Sequence, residues 1–148
     1  MTSNNDISGG LDRPIALAVI VASTREGRRG RALTDWVVTQ IAERSDIVVD
    51  EIDLDDLDLP VRFGFGANAA VEDLRERVQR ADAYLVVTPE YNHSYPASLK
   101  HAIDFVKDQW KRKPVGFVSY GGVSGGLRAV EHLRGVFNER TRTGCATR

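Results

Sequence analysis

Cysteine is nearly absent: the 148 residues include one, Cys145. A single thiol excludes an intramolecular disulfide. With no histidine cluster nearby, Cys145 reads as incidental rather than nucleophilic. An excess of charge of one sign is also lacking, since 20 Lys and Arg against 21 Asp and Glu leave a net charge of −1. That balance removes the footprint expected of a nucleic-acid or anionic-membrane binder. No apolar run approaches the roughly 20 residues needed to cross a bilayer. The start of the chain, Met1 to Arg13, lacks the basic stretch and apolar core of a secretory signal. Residues 1–13 are expected to form a disordered tail, and the cytoplasm is the expected compartment.

What is present suits one globular domain. The chain is long enough to bury a core without disulfides or metals, and its 42% apolar and 28% charged residues are ordinary for such a domain. Three short apolar runs, Ile15 to Val21, Ala83 to Val87 and Val115 to Val118, are continuous rather than alternating. Continuous runs fit strands covered on both faces of a parallel sheet. Ile47 to Ile52 is more polar and reads as a strand nearer an edge.

Helical periodicity fills the intervals. Leu33, Trp36, Val37 and Ile41 predict one apolar face; Val71, Leu74, Val78 and Ala81 predict a second. Leu99, Ala102, Ile103 and Val106 form a third after Pro96, and Val130, Leu133 and Phe137 a shorter fourth. The order β-α-β-α-β-α-β-α predicts a parallel sheet with right-handed crossovers and helices on both faces. Residues 14–137 are read as the domain and 138–148 as an atypical tail with no apolar run for a fifth strand. Asp53 to Gly66 is a long loop able to fold over something.

Ligands of open α/β sheets sit outside the carboxyl ends of the strands, and three loops there carry unusual residues. Ala22 to Gly30 offers hydroxyls, the guanidiniums of Arg25, Arg28 and Arg29, and the amides opening a helix. Those groups suit a phosphate, although the loop is neither a P-loop nor a Gly-x-Gly-x-x-Gly fingerprint. Thr88 to Pro96 has two prolines that stiffen it and two tyrosines with flat faces, which suit a planar heterocycle. Ser119 to Gly126 has four glycines that permit close backbone approach to a ligand. Taken singly, each also reads as structure alone: a solvated basic loop, an aromatic packing loop, an ordinary turn. No general acid, nucleophile or metal ligand stands out. His93 and His132 read as surface residues, Lys100 and Asp104 as an i,i+4 pair or a subunit contact, and Tyr95 as a contact near an open face.

At these loops the chain resembles the NAD(P)H-dependent FMN reductases, the flavodoxin-like family of quinone, chromate and azo-dye reductases. Their Gly-Ser-x-Arg loop appears as Ala22-Ser23-Thr24-Arg25. Their Pro-Glu-Tyr-Asn-x-Ser-x-Pro signature appears as Pro89 to Pro96, followed by Leu99-Lys100-His101-Ala102-Ile103-Asp104. Their glycine loop with a following arginine matches Ser119 to Arg128. The resemblance implies a three-layer α/β/α sandwich with strand order 2-1-3-4 and FMN as cofactor, with NAD(P)H as co-substrate. It implies that Ser23, Arg25, Arg28, Arg29 and Gly30 hold the phosphate and that Pro89, Glu90, Tyr91 and Asn92 line the ring. Ser119, Tyr120, Gly121 and Gly122 then belong to the ring's other edge.

Reduction of a flavin, quinone or similar small acceptor is the implied activity, in a homodimer or homotetramer that binds neither nucleic acid nor membrane. Three departures stand out: Ala22 replaces the usual Gly, His101 the usual Asn, and the fifth strand and last helix are missing. The competing readings are an FMN-binding electron carrier, commonly far more acidic than this chain, and an inactive, truncated remnant of a reductase.

Overall fold

A computed structural model describes residues 12–64 and 66–141. Four strands, β1 (Ile15–Val21), β2 (Ile47–Asp53), β3 (Ala83–Pro89) and β4 (Val115–Tyr120), alternate with four helices: α1 (Gly30–Ile41), α2 (Ala69–Arg80), α3 (Ala97–Phe105) and α4 (Leu127–Thr141). All strand pairs are parallel, in the order β2-β1-β3-β4. The register sets Ile20 between Ile52 and Val86, so three β-branched side chains stack across the centre of the sheet.

Strand alternation distributes the apolar runs between two layers. Ala18, Ile20, Ala22, Tyr84 and Val86 enter one cluster with Leu74 and Val78 of α2, Leu99 and Ile103 of α3, and Leu133 and Phe137 of α4. Val19, Val21 and Val87 point the other way and are equally buried; α1 packs on β1 and β3. Full burial of each such side chain contributes about 1.5–3 kcal/mol, so the sheet centre is the stable frame on which the loops are hung.

One apolar assignment changes, and one core residue is added. Trp36 is 60% exposed, and the stripe that α1 buries is Gly30, Thr34 and Val37. Trp36 is one residue, or about 100°, away from Val37 around the helix, which carries it off the sheet. Trp110, which belongs to none of the predicted stripes, is 1% exposed in the core. Its Nε1 donates to the Ile103 carbonyl, and its ring meets Tyr84 and Phe137 edge-on. The last helix runs to Thr141, into the segment read as tail. Cys145 and most of residues 1–13 lie outside the described residues.

Helix ends follow local chemistry. Asn68 caps α2, its Oδ1 accepting the Val71 N–H at 3.0 Å, with Glu72 in the first turn and Arg77 and Arg80 in the last. The long loop after β2 is pinned over α3: His101 Nε2–H donates to the Pro60 carbonyl at 2.9 Å, and Phe63 packs on Phe105. His101, the residue that departs from the usual Asn, is therefore what holds that loop. No helix among the described residues is long and apolar enough to cross a membrane.

Candidate functional site

The loops after β1, β3 and β4 converge on one cleft of about 640 Å³ at the carboxyl edge of the sheet, within the range of small-molecule and cofactor sites. Its walls are Arg29, Ala32 and Leu33 from the start of α1, Pro89, Glu90 and Tyr91 from the end of β3, and Tyr120, Gly121 and Gly122 after β4. Six of the predicted residues thus share one cavity wall with Arg29. Ala32 and Leu33 join them although small and apolar residues in a first turn carry no ligand signal of their own.

The β1 loop divides its arginines between two tasks. Arg28 turns inward: Nη1 donates to the Ser23 carbonyl at 2.9 Å and to Asp53 at 2.7 Å, with Nη2 3.3 Å from Asp55. Asp53 is buried and Arg28 nearly so, making a clamp between the β1 and β2 loops. Arg28, expected at the phosphate, thus has its guanidinium committed to two carboxylates. Arg25 and Arg29 are exposed and make no ion pair among the described residues. Gly30 opens α1 with no side-chain cap at Arg29 and no acidic residue in the first turn. An uncapped helix start flanked by two unpaired cations favours an anion.

Ser23 is fully buried, and its Oγ is hydrogen-bonded to Tyr91 Oη at 2.9 Å, which ties the first loop to the second. Tyr120 Oη is buried without a hydrogen-bond partner, 3.0 Å from where a Cβ on Gly30 would stand. Burial pushes the Tyr120 phenol above its ordinary pKa, with the nearby Ser23 hydroxyl acting against that shift. Gly30 thus permits a close approach, since a side chain there would stand tight against the phenol. Ala22, the residue that departs from the usual Gly, has no positive φ and donates its N–H to the Val87 carbonyl at 3.0 Å.

The second loop is a tight hairpin turn. Asn92 and His93 have φ of 48° and 66°, and Tyr91 and Ser94 exchange backbone hydrogen bonds at 2.8 and 2.9 Å. Two consecutive positive φ values define the mirror-image turn that closes such hairpins. Asn92 and His93 are exposed at its tip, and Asn92 does not line the cleft wall. The base of the turn is held at Ser94, whose Oγ lies 2.9 Å from His132 Nδ1 on α4.

Glu90 has a structural task in addition to lining the cleft. Its carboxylate, 8% exposed, receives the Ser124 hydroxyl, the backbone N–H of Arg128 at 3.2 Å and Arg128 Nη1 at 2.8 Å. Its own N–H donates to the Tyr120 carbonyl at 2.8 Å. These contacts staple the β3 loop to the glycine loop and place a carboxylate at the start of α4. Along the chain Ser124 and Arg128 are only parts of the glycine motif. Ser119 stands behind the cleft, its Oγ donating to the Gly125 carbonyl at 3.0 Å.

The residues present fit a flat, phosphorylated cofactor such as FMN. The uncapped helix start beside Arg25 and Arg29 offers the charge that a phosphate would need, and the orphaned Tyr120 hydroxyl lies beside the cleft. Gly122 leaves open space where a Cβ would be. No group of three or more His, Cys, Asp or Glu side chains able to hold a metal ion occurs among the described residues.

Comparison with known proteins agrees. The "Probable NADPH:quinone oxidoreductase 2" of Oryza sativa subsp. japonica is 37% identical over 142 residues, covering 86% of this chain and 68% of that protein. The "Quinone reductase" of Escherichia coli K12 is 45% identical over 89 residues, 57% of this chain and 46% of that protein. Among solved structures, the flavoenzyme NAD(P)H:(acceptor) oxidoreductase FerB of Paracoccus denitrificans superposes with a TM-score of 0.74 at 29% identity, covering 90% of this chain and 76% of that one. The sequence matches NADPH-dependent FMN reductase over residues 15–144. The chain belongs to the NADPH-dependent FMN reductase family, flavodoxin-like oxidoreductases that use FMN with NAD(P)H as electron donor.

Proposed function

We propose that this protein binds FMN in the cleft between the β1, β3 and β4 loops and passes electrons from NAD(P)H to a small acceptor of the quinone or flavin class. The observation that carries this reading is the convergence of the uncapped α1 start, the Tyr91 wall and the Tyr120–Gly122 turn, open at Gly122, on one cavity. When bound, FMN supplies the redox chemistry.

The chain's own residues hold and orient. Arg25, Arg29 and the first amides of α1 bind the phosphate, while Arg28 keeps their loop in shape through Asp53. Pro89 and Tyr91 set the plane of the ring, with Tyr91 fixed by Ser23. The Glu90–Arg128 staple keeps the glycine loop at a fixed distance across the cleft. Asn92, at the turn tip, borders the outer mouth. None of these residues need donate or accept a proton. The small net charge supports a small-molecule acceptor over a nucleic-acid or membrane partner, and the proposal places the protein in the cytoplasm as a homo-oligomer.

Reconstitution tests the reading. The purified protein incubated with FMN and desalted is expected to keep the yellow flavin spectrum, and a colourless product contradicts the proposal.

A further inference from the structure

The segment after β3, from Glu90 to Ser94, is gripped from outside the cleft at three points. Tyr91 Oη meets Ser23 in the β1 loop, and Glu90 meets Arg128 at the start of α4. Ser94 Oγ lies 2.9 Å from His132 Nδ1, also on α4. Arg128 and His132 are four residues apart, so one turn of one helix presents both side chains on the same side. Leu133 and Phe137 seat that helix in the core. A fixed element thus takes hold of the first and the last residue of the segment together. Along the sequence His132 reads as solvated surface; its contact with Ser94, 38 residues away, gives it a task.

The turn needs such a grip. Asn92 and His93 stand in the left-handed region, at φ of 48° and 66°, and neither is glycine. A side chain makes that region unfavourable, so the conformation persists only where its surroundings hold it. The backbone bonds between Tyr91 and Ser94 close the hairpin on itself. The Ser94–His132 contact is what ties its far end to α4.

We propose that His132 is a positioning residue for the flavin ring: through Ser94 it holds the far end of the Tyr91 turn, as Arg128 holds the near end through Glu90. Together the two side chains set the angle at which Tyr91 meets the cofactor, and neither acts on the chemistry. The contact works with either imidazole tautomer, because a serine hydroxyl both donates and accepts. This inference rests on FMN occupying the cleft, while the hold on the turn itself is measurable without a ligand.

The test is a double-mutant cycle on the full chain, with FMN and riboflavin titrated into each variant. Alanine is the better helix former, so His132→Ala leaves α4 intact. His132→Ala and Ser94→Ala are each expected to weaken both ligands about three- to tenfold, the loss of one neutral hydrogen bond. The double variant is expected to lose no more than either single one. His132→Asn, whose side-chain amide stands where Nδ1 stood, is expected to restore the affinity. Should His132→Ala fail to fold, Ser94→Ala carries the comparison from the other side.

A role confined to helix stability would lower Tm and leave both affinities alone. Unchanged affinity in the single variants, additive losses in the double variant, or a loss limited to FMN overturns the inference. A wild type that retains no FMN overturns the flavin reading instead, and hydrogen exchange of the unliganded protein then decides. The Ser94 amide, bonded to the Tyr91 carbonyl at 2.9 Å, is expected to exchange faster in His132→Ala and to regain its protection in His132→Asn. Equal protection in wild type and both variants overturns the hold of His132 on the turn.

Discussion

Arg128 meets Glu90 twice: its backbone N–H donates to Oε2 at 3.2 Å and its Nη1 to Oε1 at 2.8 Å. One carboxylate thereby fixes the glycine loop, the start of α4 and one wall of the cleft. The Ser124 hydroxyl, then the backbone N–H and charge of Arg128, hold the Glu90 carboxyl below the ordinary glutamate pKa. A depressed folded pKa means that folding favours the ionised form. The stabilisation is complete above the unfolded value of about 4.3 and is lost as pH falls through the lower folded value. Glu90→Gln is expected to lower Tm and FMN affinity at pH 7, with the Tm gap to wild type closing as pH falls below that range. Thermal melts across pH check this, and a gap that persists at acid pH contradicts it.

Arg25 and Arg28 separate binding from support. Arg25→Ala is expected to weaken FMN roughly ten- to a hundredfold, the loss of one charge-assisted contact, with riboflavin little changed because it lacks the phosphate. Arg28→Ala leaves the buried Asp53 carboxylate with only the longer Arg31 ion pair at 3.8 Å and is expected to cost about 3 kcal/mol of stability. It weakens FMN and riboflavin alike. Paired ligand titrations and denaturant melts distinguish the two patterns.

Gly126 and Gly122 lie four residues apart with opposite demands. Gly126 has φ of +88°, and a Cβ there would stand 2.5 Å from Ser119 Cβ and 2.8 Å from the Tyr120 nitrogen. Gly126→Ala is expected to cost more than about 2 kcal/mol through left-handed strain and overlap with backbone. Gly122→Ala meets nothing within 4 Å and is expected to leave Tm unchanged while altering ligand affinity at the cleft.

Tyr84 tests the core. Its buried hydroxyl donates to the Val78 carbonyl at 3.0 Å or the Gln109 carbonyl at 2.9 Å, joining α2 to the segment after α3. Tyr84→Phe removes the donor from two acceptors and is expected to cost about 1–2 kcal/mol in urea melts, with FMN binding unaffected.

Much of this arrangement was legible in the residues themselves. The continuous apolar runs mark β1, β3 and β4 because strands covered on both faces need no polar alternation, and the more polar β2 does lie at an edge. The three loops announce a cleft through their composition. What they conceal is the division of labour inside it. Arg25, Arg28 and Arg29 look equivalent along the chain, and only the position of Asp53, 25 residues after Arg28, commits one of them to structure. Glu90 likewise reads as a ring contact until Ser124 and Arg128 arrive from 34 and 38 residues away. Periodicity gives a helix its stripe only within a turn, which is why Trp36 falls off the buried face, and Trp110 lies in a short connection with no period to read.

The central claim is that the cleft holds FMN where NAD(P)H reduces it. Anaerobic titration of the FMN-reconstituted protein with NADPH and with NADH tests this most directly. The account predicts stoichiometric flavin retention and bleaching of its visible absorbance by at least one of the two nucleotides, with colour returning when a quinone is added. A protein that retains no FMN, or retains it in a form that neither nucleotide bleaches, contradicts the account.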